Sequence, residues 1–83
     1  MAATYGRHMK NPVTLQGKLG AAIRWRRLAS EYSQDSFADA IGMHRAYYSS
    51  IERGERNLTL STLQRVAGGL GCKIADVMQD AGI

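Results

Sequence analysis

The residue types that could carry out covalent, acid–base or metal chemistry are sparse in this 83-residue sequence. The strongest candidates for a nucleophile, a base or a soft metal ligand are His8, His44 and Cys72, and they fall on separate predicted elements. The sequence has no HExxH pair and no glycine loop with the spacing that cradles phosphate. It therefore predicts neither an enzyme nor a metal site, and we expect no cofactor.

Binding chemistry is concentrated in residues 33–54, SQDSFADAIGMHRAYYSSIERG. This stretch predicts two short helices that meet at a turn at Gly42, with Ala38 small enough for the second helix to cross close to it. Tyr48 and Ile51 lie one helical step apart and face the core, so they fix the roughly perpendicular crossing of a helix-turn-helix. Such a crossing pushes the second helix out as a ridge that fits the major groove of B-DNA, which is about 12 Å wide.

The elements that must position this ridge are helical, because no segment alternates as a strand would. Apolar residues at helical spacing, among them Leu60 near the start of the fourth helix, mark the side of each helix that faces the core. Five helices are predicted: from Leu15 to about Tyr32, from an N-cap at Ser33 to Gly42, from His44 to about Arg53, from an N-cap at Thr59 to Gly71, and a short last one that carries Ile74, Val77 and Met78.

Chain length allows one domain, which we place at residues 15–83. Residues 1–14 lack periodicity and predict a flexible arm. The dipeptide His8-Met9 is typical of a cloning junction, which makes Met9 a candidate native start and residues 1–8 a candidate remnant. The alternative is an authentic basic arm that touches a phosphate backbone.

Composition limits the class of protein further. Hydrophobic residues make up 45% and charged residues 22% of the chain, as in ordinary globular domains. A net charge of +4 and a pI near 9.6 permit nucleic-acid binding without requiring it. A single cysteine excludes an internal disulfide, and neither a membrane-spanning run nor a leader is evident. These features predict a cytoplasmic, nucleoid-associated protein, stabilised by a partner subunit because so short a chain buries a small core.

Residues 33–54 carry the pattern SQ-x-x-(apolar)-A-x-x-(apolar)-G-(apolar), followed by (apolar)-S-x-I-E-x-G. In this pattern they resemble the lambda-repressor-like (Cro/C1, XRE-type) helix-turn-helix family. The resemblance continues through LSTLQRVAGGLG and covers about Leu15 to Gln79. The run HRAYYSSIERGERNLT is most similar to the controller proteins of restriction–modification systems. The resemblance implies a compact, all-α, five-helix domain. It also implies a transcriptional regulator that binds near-palindromic operators as a homodimer.

The resemblance also implies roles in DNA binding. Gln34 would grip a phosphate, and Arg45 would donate two hydrogen bonds to guanine O6 and N7. Ala46, where controller-like relatives often carry threonine, can offer only a methyl group to a thymine. For each polar residue, a solvent-facing or packing role is the alternative. The remaining expected DNA contacts are His44, Tyr47, Ser49, Ser50, Arg53, Arg56 and Asn57.

Other residues are expected to have structural roles, in an ion pair and in a dimer seam. The family pairs an arginine of the first helix with the glutamate of its motif, which here are Arg27 and Glu52. Apolar residues of the last helix would form the dimer seam, namely Ile74, Val77 and Met78. The expected partners are double-stranded DNA, a second copy of the chain and RNA polymerase, with no small-molecule ligand and no membrane.

Two other interpretations of the sequence compete with that of a restriction–modification controller. One is a phage-type or chromosomal repressor with the same fold. The other is an antitoxin-like helical module that binds a protein through the last two helices. A further departure from the family is Gly68-Gly69 inside the fourth helix, which would either loosen that helix or let another backbone approach it closely.

Overall fold

The computed structural model describes residues 14–83, which form five α-helices and, within that range, no β-strand. The predicted all-α, five-helix fold is confirmed. The predicted arm, including the candidate remnant at residues 1–8, lies outside the described residues apart from Thr14. The helices are α1 (Leu15–Ala29), α2 (Gln34–Ala40), α3 (Arg45–Glu52), α4 (Leu60–Leu70) and α5 (Ile74–Asp80).

Hydroxyl side chains begin α2 and α4, as the sequence predicts. The Ser33 hydroxyl accepts a hydrogen bond from the backbone N–H of Ser36 at 3.0 Å, and the Ser36 hydroxyl accepts one from the N–H of Ser33 at 3.0 Å. The Thr59 hydroxyl accepts from the N–H of Thr62 at 3.1 Å. These bonds satisfy N–H groups that have no partner within the helix, so both helix starts are well defined.

Three predicted helix boundaries differ from the observed ones, the end of the first helix and, by one residue each, both ends of the third. The first helix ends well before Tyr32, because Glu31 adopts the left-handed conformation with φ +64°, which a helix cannot contain. The resulting turn lets Nη1 of Arg27 donate to the Tyr32 carbonyl at 2.8 Å. α3 excludes His44 and Arg53, which are its N-cap and C-cap.

The core anchors α3 through its inner side. Tyr48 is fully buried and Ile51 is 1% exposed, as predicted for the residues that fix the helix crossing. The Tyr48 ring centroid lies 5.2 Å from that of Phe37, which in turn lies 5.2 Å from that of Tyr32. The core consists of Leu19, Ala22, Ile23, Phe37, Ala38, Met43, Tyr48, Ile51, Leu63, Val66, Ala67 and Val77.

The turn between α2 and α3 is held from α4. Gly42 has φ +66°, a conformation that glycine adopts at little cost, as predicted. Arg65 donates from Nε to the carbonyl of Ile41 at 2.9 Å and from Nη2 to the carbonyl of Gly42 at 2.6 Å. Because these carbonyls end α2, the guanidinium satisfies acceptors that the helix itself leaves open.

The paired glycines of α4 have different surroundings. A Cβ atom at Gly69 would lie 2.3 Å from Cγ2 of Ile41, so α4 packs closely on the end of α2 within the same protomer. A Cβ atom at Gly68 would meet nothing within 4 Å. Leu60, the first residue of α4, is 69% exposed, so the prediction that it faces the core is wrong.

α1 and α3 pack closely against each other at Gly20. A Cβ atom there would lie 2.5 Å from the carbonyl oxygen of Ile51 and 2.6 Å from that of Glu52. Both atoms belong to the backbone and cannot move aside as a side chain can. The absence of a side chain at Gly20 therefore seats the end of α3 directly against α1.

Substituting Gly20 by alanine is expected to lower the free energy of unfolding by about 1–3 kcal/mol, since the added methyl group forces two backbone segments apart. The matched control is Gly68→Ala, which makes the same change in a helix with open space around it within the protomer. The control should raise the free energy of unfolding by about 0.5–1 kcal/mol. Denaturant unfolding of both variants tests this contrast, and equal stabilisation by the two would contradict the close approach at Gly20.

Candidate nucleic-acid interface

The outer side of α3 presents a surface strip that carries two arginines, a histidine, an alanine and a serine. Arg45 and Ala46 are exposed there, while Ser49 is half-buried. Since Tyr48 and Ile51 hold the opposite side in the core, the strip is presented on a fixed helix of about 10–12 Å diameter. This outer strip brings together five of the residues predicted to bind DNA: His44, Arg45, Ala46, Ser49 and Arg53.

The start of the outer strip carries a cross-helix ion pair. Nε of Arg45, the first residue of α3, lies 2.9 Å from Oδ1 of Asp35 in the first turn of α2. The side chains are 60% and 74% exposed, respectively. From the sequence, Asp35 is only a charge that favours the start of a helix, because its contact with Arg45 depends on how the two helices cross.

The far end of the strip is bound to the loop that follows α3. Arg53 donates to the hydroxyl of Ser49 at 2.7 Å and to both carboxylate oxygens of Glu55, at 3.0 and 3.1 Å. The hydrogen bonds from Arg53 lower the pKa of Glu55 below its usual value. Arg53 therefore reaches the surface with part of its charge already balanced.

Ser50 does not lie on the outer face, so that prediction is wrong. It is 4% exposed, and its hydroxyl donates to the carbonyl of Tyr47 at 2.6 Å and accepts from Nε of Arg56 at 2.8 Å. The Arg56 guanidinium also lies 5.0 Å from the centroid of the half-buried Tyr47 ring. These contacts brace the loop after α3 against the helix and leave Arg56 exposed beside it.

Two further predicted DNA contacts are engaged within the protomer. Nε2 of Gln34 donates to Oε1 of Glu52 at 2.9 Å, which leaves its second N–H for another acceptor. Asn57 is exposed, and its Oδ1 accepts from Nε2 of Gln16 in α1. Both amides are thus held in place by a residue of α1 or α3.

Behind the outer strip, Glu52 is the centre of a buried polar network. Arg27 donates from Nε to Oε2 at 2.6 Å and from Nη2 to Oε1 at 3.0 Å, which is the bidentate pair that the resemblance implies. Tyr48 donates its hydroxyl to the same carboxylate, as Gln34 does its amide. Burial and the contact with Glu52 raise the pKa of Tyr48, so the phenol stays protonated and keeps donating. Glu52 is 1% and Arg27 5% exposed, so this network joins α1, α2 and α3 inside the protein.

Comparison with known proteins gives these elements a family. The Helix-turn-helix family model (HTH_3) matches residues 23–77. The control protein C.MunI of a Mycoplasma species is 42% identical over 55 residues, which cover 66% of this chain and 74% of that protein. This chain belongs to the XRE-type helix-turn-helix family.

Solved structures of helix-turn-helix proteins agree with this assignment. The clp gene regulator ClgR of Corynebacterium glutamicum superposes with a TM-score of 0.81 at 32% identity, over 83% of this chain and 88% of that one. The restriction–modification controller protein C.AhdI of Aeromonas hydrophila superposes with a TM-score of 0.72 at 31% identity, over 75% of this chain and 94% of that one. The predicted resemblance to the family and to controller proteins is confirmed, and the chain is a DNA-binding transcription regulator.

In this helix-turn-helix protein, α2 and α3 are the two helices of the motif, and the outer strip lies on its second helix. Among residues 14–83, no group of three or more acidic, histidine or cysteine side chains could hold a metal ion. None of the helices in that range has the length and hydropathy needed to cross a bilayer.

The predicted dimer seam needs one correction. Val77 is fully buried in the core of its own protomer, so it cannot contact a second copy. Ile74 and Met78 are half-buried and remain partly accessible. Helical spacing puts all three on one apolar side of α5. In the structure, the part of that side around Val77 packs into the core of the same protomer.

Acid should destabilise this helix-turn-helix protein through Glu52. Burial raises the pKa of Glu52, but hydrogen bonds from Arg27, Tyr48 and Gln34 outweigh it and hold that pKa below the ordinary 4.5. The folded state therefore binds this proton less tightly than the unfolded state does. The stability contributed by the carboxylate is present above the ordinary pKa and is lost as the pH falls through the folded one.

As the pH is lowered through and below the ordinary glutamate pKa, we expect the free energy of unfolding to fall more steeply for the wild type than for Glu52→Gln, which has no proton to bind at that position. Denaturant unfolding of both proteins at several pH values measures the difference. Parallel curves would contradict a lowered pKa at Glu52.

Proposed function

We propose that this chain regulates transcription by binding near-palindromic operators as a homodimer, as the controller protein of a restriction–modification system. The observation that supports this proposal is the outer strip on α3. Its exposed Arg45 and the neighbouring Ala46 and Ser49 are presented by a helix whose inner side is locked in the core. A helix-turn-helix protein whose corresponding helix was buried or mobile could not present such a strip to DNA.

In the proposed complex, α3 enters the major groove. Arg45 donates to guanine O6 and N7, Ala46 contacts a thymine methyl group, and Ser49 bonds to a neighbouring base edge. Residues around the strip hold the phosphate backbone and set the register of α3 on the duplex. The proposed phosphate contacts come from Gln34, His44, Tyr47, Arg53, Arg56 and Asn57.

Two copies are needed because one short helix contacts too few base pairs to select a site in a genome. A groove between α4 and α5, lined by residues that include Ala67, Gly68, Ile74 and Ala75, offers an accessible surface for the second copy. Beside it, the proposed seam uses Ile74 and Met78 without Val77. Two-fold pairing would set the recognition helices about 34 Å apart on one side of the duplex.

The controller subtype is supported by C.MunI and C.AhdI, whose names describe a control protein and a restriction–modification controller protein. We propose that this chain acts in the cytoplasm on the promoters of such a system, with RNA polymerase as its protein partner. Genes for a methyltransferase and an endonuclease beside the gene for this chain would support the subtype. Their absence would favour a phage-type or chromosomal repressor with the same DNA-binding mode.

The DNA-binding proposal is tested by selecting duplexes from a randomised pool with the full 83-residue chain. We expect an inverted repeat to be enriched. Affinity for it should fall steeply with salt, with a log–log slope of about −0.9 for each phosphate contact. Failure to enrich any duplex, or an affinity that salt barely changes, would overturn the proposal in favour of a protein-binding module.

A further inference from the structure

One contact of the outer strip has no role in the DNA-binding scheme above. Asp35 and Arg45 come from different helices of the motif, and their charged atoms approach to 2.9 Å across the cleft between α2 and α3. Within residues 14–83, the terminal Nη1 and Nη2 groups of Arg45 have no hydrogen-bond partner. The Asp35 carboxylate thus contacts the guanidinium on its Nε side. It leaves Nη1 and Nη2 free to donate hydrogen bonds to a guanine.

Asp35 is itself well placed to hold a flexible side chain. It has a short side chain in the first turn of α2, and the reciprocal hydrogen bonds of Ser33 and Ser36 secure that turn. An unrestrained arginine loses much rotational freedom when it binds a base. A carboxylate that this turn holds beside Nε reduces that loss before DNA arrives.

The negative charge of Asp35 gives the ion pair with Arg45 a second effect, on the attraction to phosphates. A guanidinium that faces a carboxylate gains less from a nearby phosphate, which is present on every duplex, since the two negative groups compete for it. Two hydrogen bonds to a guanine edge depend on base identity and need only the free Nη groups. The ion pair should therefore weaken binding to arbitrary DNA more than binding to the correct base pair.

We infer that Asp35 is a positioning residue for Arg45, and that it increases discrimination at the one base pair that Arg45 reads. This inference rests on the proposed function, since it assumes that α3 reads DNA. Asp35 touches no base in this scheme. It affects discrimination through the guanidinium alone, so its effect on discrimination should vanish when Arg45 is absent.

The test compares Asp35→Asn with Asp39→Asn. Asp39 is exposed on the same helix and lines the same cleft, but within residues 14–83 it forms no ion pair, so its substitution changes charge equally without releasing Arg45. The probes are the duplex selected from a randomised pool and its three variants at the base pair sensitive to Arg45→Ala. The quantity measured is the ratio of dissociation constants between the selected and the substituted duplexes.

Both aspartate variants should bind all duplexes somewhat more tightly, because each removes a negative charge near the phosphates. Only Asp35→Asn should reduce the discrimination ratio, by about two- to fivefold, as expected for an exposed ion pair. In an Arg45→Ala background, Asp35→Asn should leave the ratio unchanged. Thermal unfolding checks that all variants are folded at the assay temperature.

Equal ratios for Asp35→Asn, Asp39→Asn and wild type would overturn the inference while leaving the DNA-binding function intact. A loss of discrimination that persists without Arg45 would also overturn it, because Asp35 would then act on DNA directly. If no duplex is selected at all, the proposed function itself fails. The outcomes therefore separate the two claims.

Discussion

Glu52→Gln is expected to lower the free energy of unfolding by about 3–5 kcal/mol, the usual cost of removing one partner of a buried ion pair. The substitution keeps the shape of the side chain but leaves the Arg27 charge buried without a counter-charge. It also weakens the hydrogen bonds that Tyr48 and Gln34 donate, because a neutral amide accepts less strongly than a carboxylate. A loss of this size is a large part of the stability of a small domain.

Denaturant unfolding measures this loss, and Glu55→Gln is the matched control. Glu55 also bonds an arginine through both carboxylate oxygens, but that pair is exposed, so the control should change stability little. Adding Arg27→Met to Glu52→Gln removes the stranded charge, and the double variant should lose less stability than the two single variants summed. A loss for Glu52→Gln no larger than that of the control would show that the network contributes little.

Arg45→Ala is expected to weaken binding to the selected operator by about 1–3 kcal/mol and to relax the choice of base at one position. The reason is that a guanidinium can donate two hydrogen bonds to guanine, which no other base pair accepts in the same arrangement. Fluorescence anisotropy with the selected duplex and its single-base variants measures both effects. Because the side chain is exposed, the fold should be unaffected.

The control for Arg45→Ala is Arg53→Ala, at the other end of the outer strip. Arg53 is proposed to contact a phosphate, so its loss should weaken binding to every duplex by a similar factor and reduce the salt slope. If Arg45→Ala instead weakens binding to random and selected duplexes equally, Arg45 is a phosphate contact and another residue reads the sequence.

Much of the fold follows from local features of the sequence. The spacing of Tyr48 and Ile51 identifies the inner side of α3, and Gly42 identifies the turn before it, because periodicity and backbone conformation are properties of a few neighbouring residues. The caps at Ser33 and Thr59 follow from the same local chemistry. The Arg27–Glu52 pair came from resemblance to the family, not from the residues alone.

The errors concern surfaces that other elements cover. Helical spacing places Ser50 on the same outward side of α3 as Arg45. The loop after the helix instead brings Arg56 over the Ser50 hydroxyl. Val77 lies on an apolar side of α5, and periodicity cannot say whether the protomer or a second copy covers that side. Asp35 acquires its partner from the crossing angle of α2 and α3. Each outcome depends on packing between elements distant in sequence or set at an angle.

The contact of Arg65 with the carbonyls of Ile41 and Gly42 has a consequence for operator architecture. One guanidinium links α4, which lines the groove proposed for the second copy, to the corner of the motif. In a dimer built on that groove, this contact would brace the corner before the recognition helix against the seam. An extra base pair between the half-sites turns one of them by about 34° around the duplex axis. Such a rigid dimer could not follow that rotation, so spacer length would be as selective as the half-site sequence.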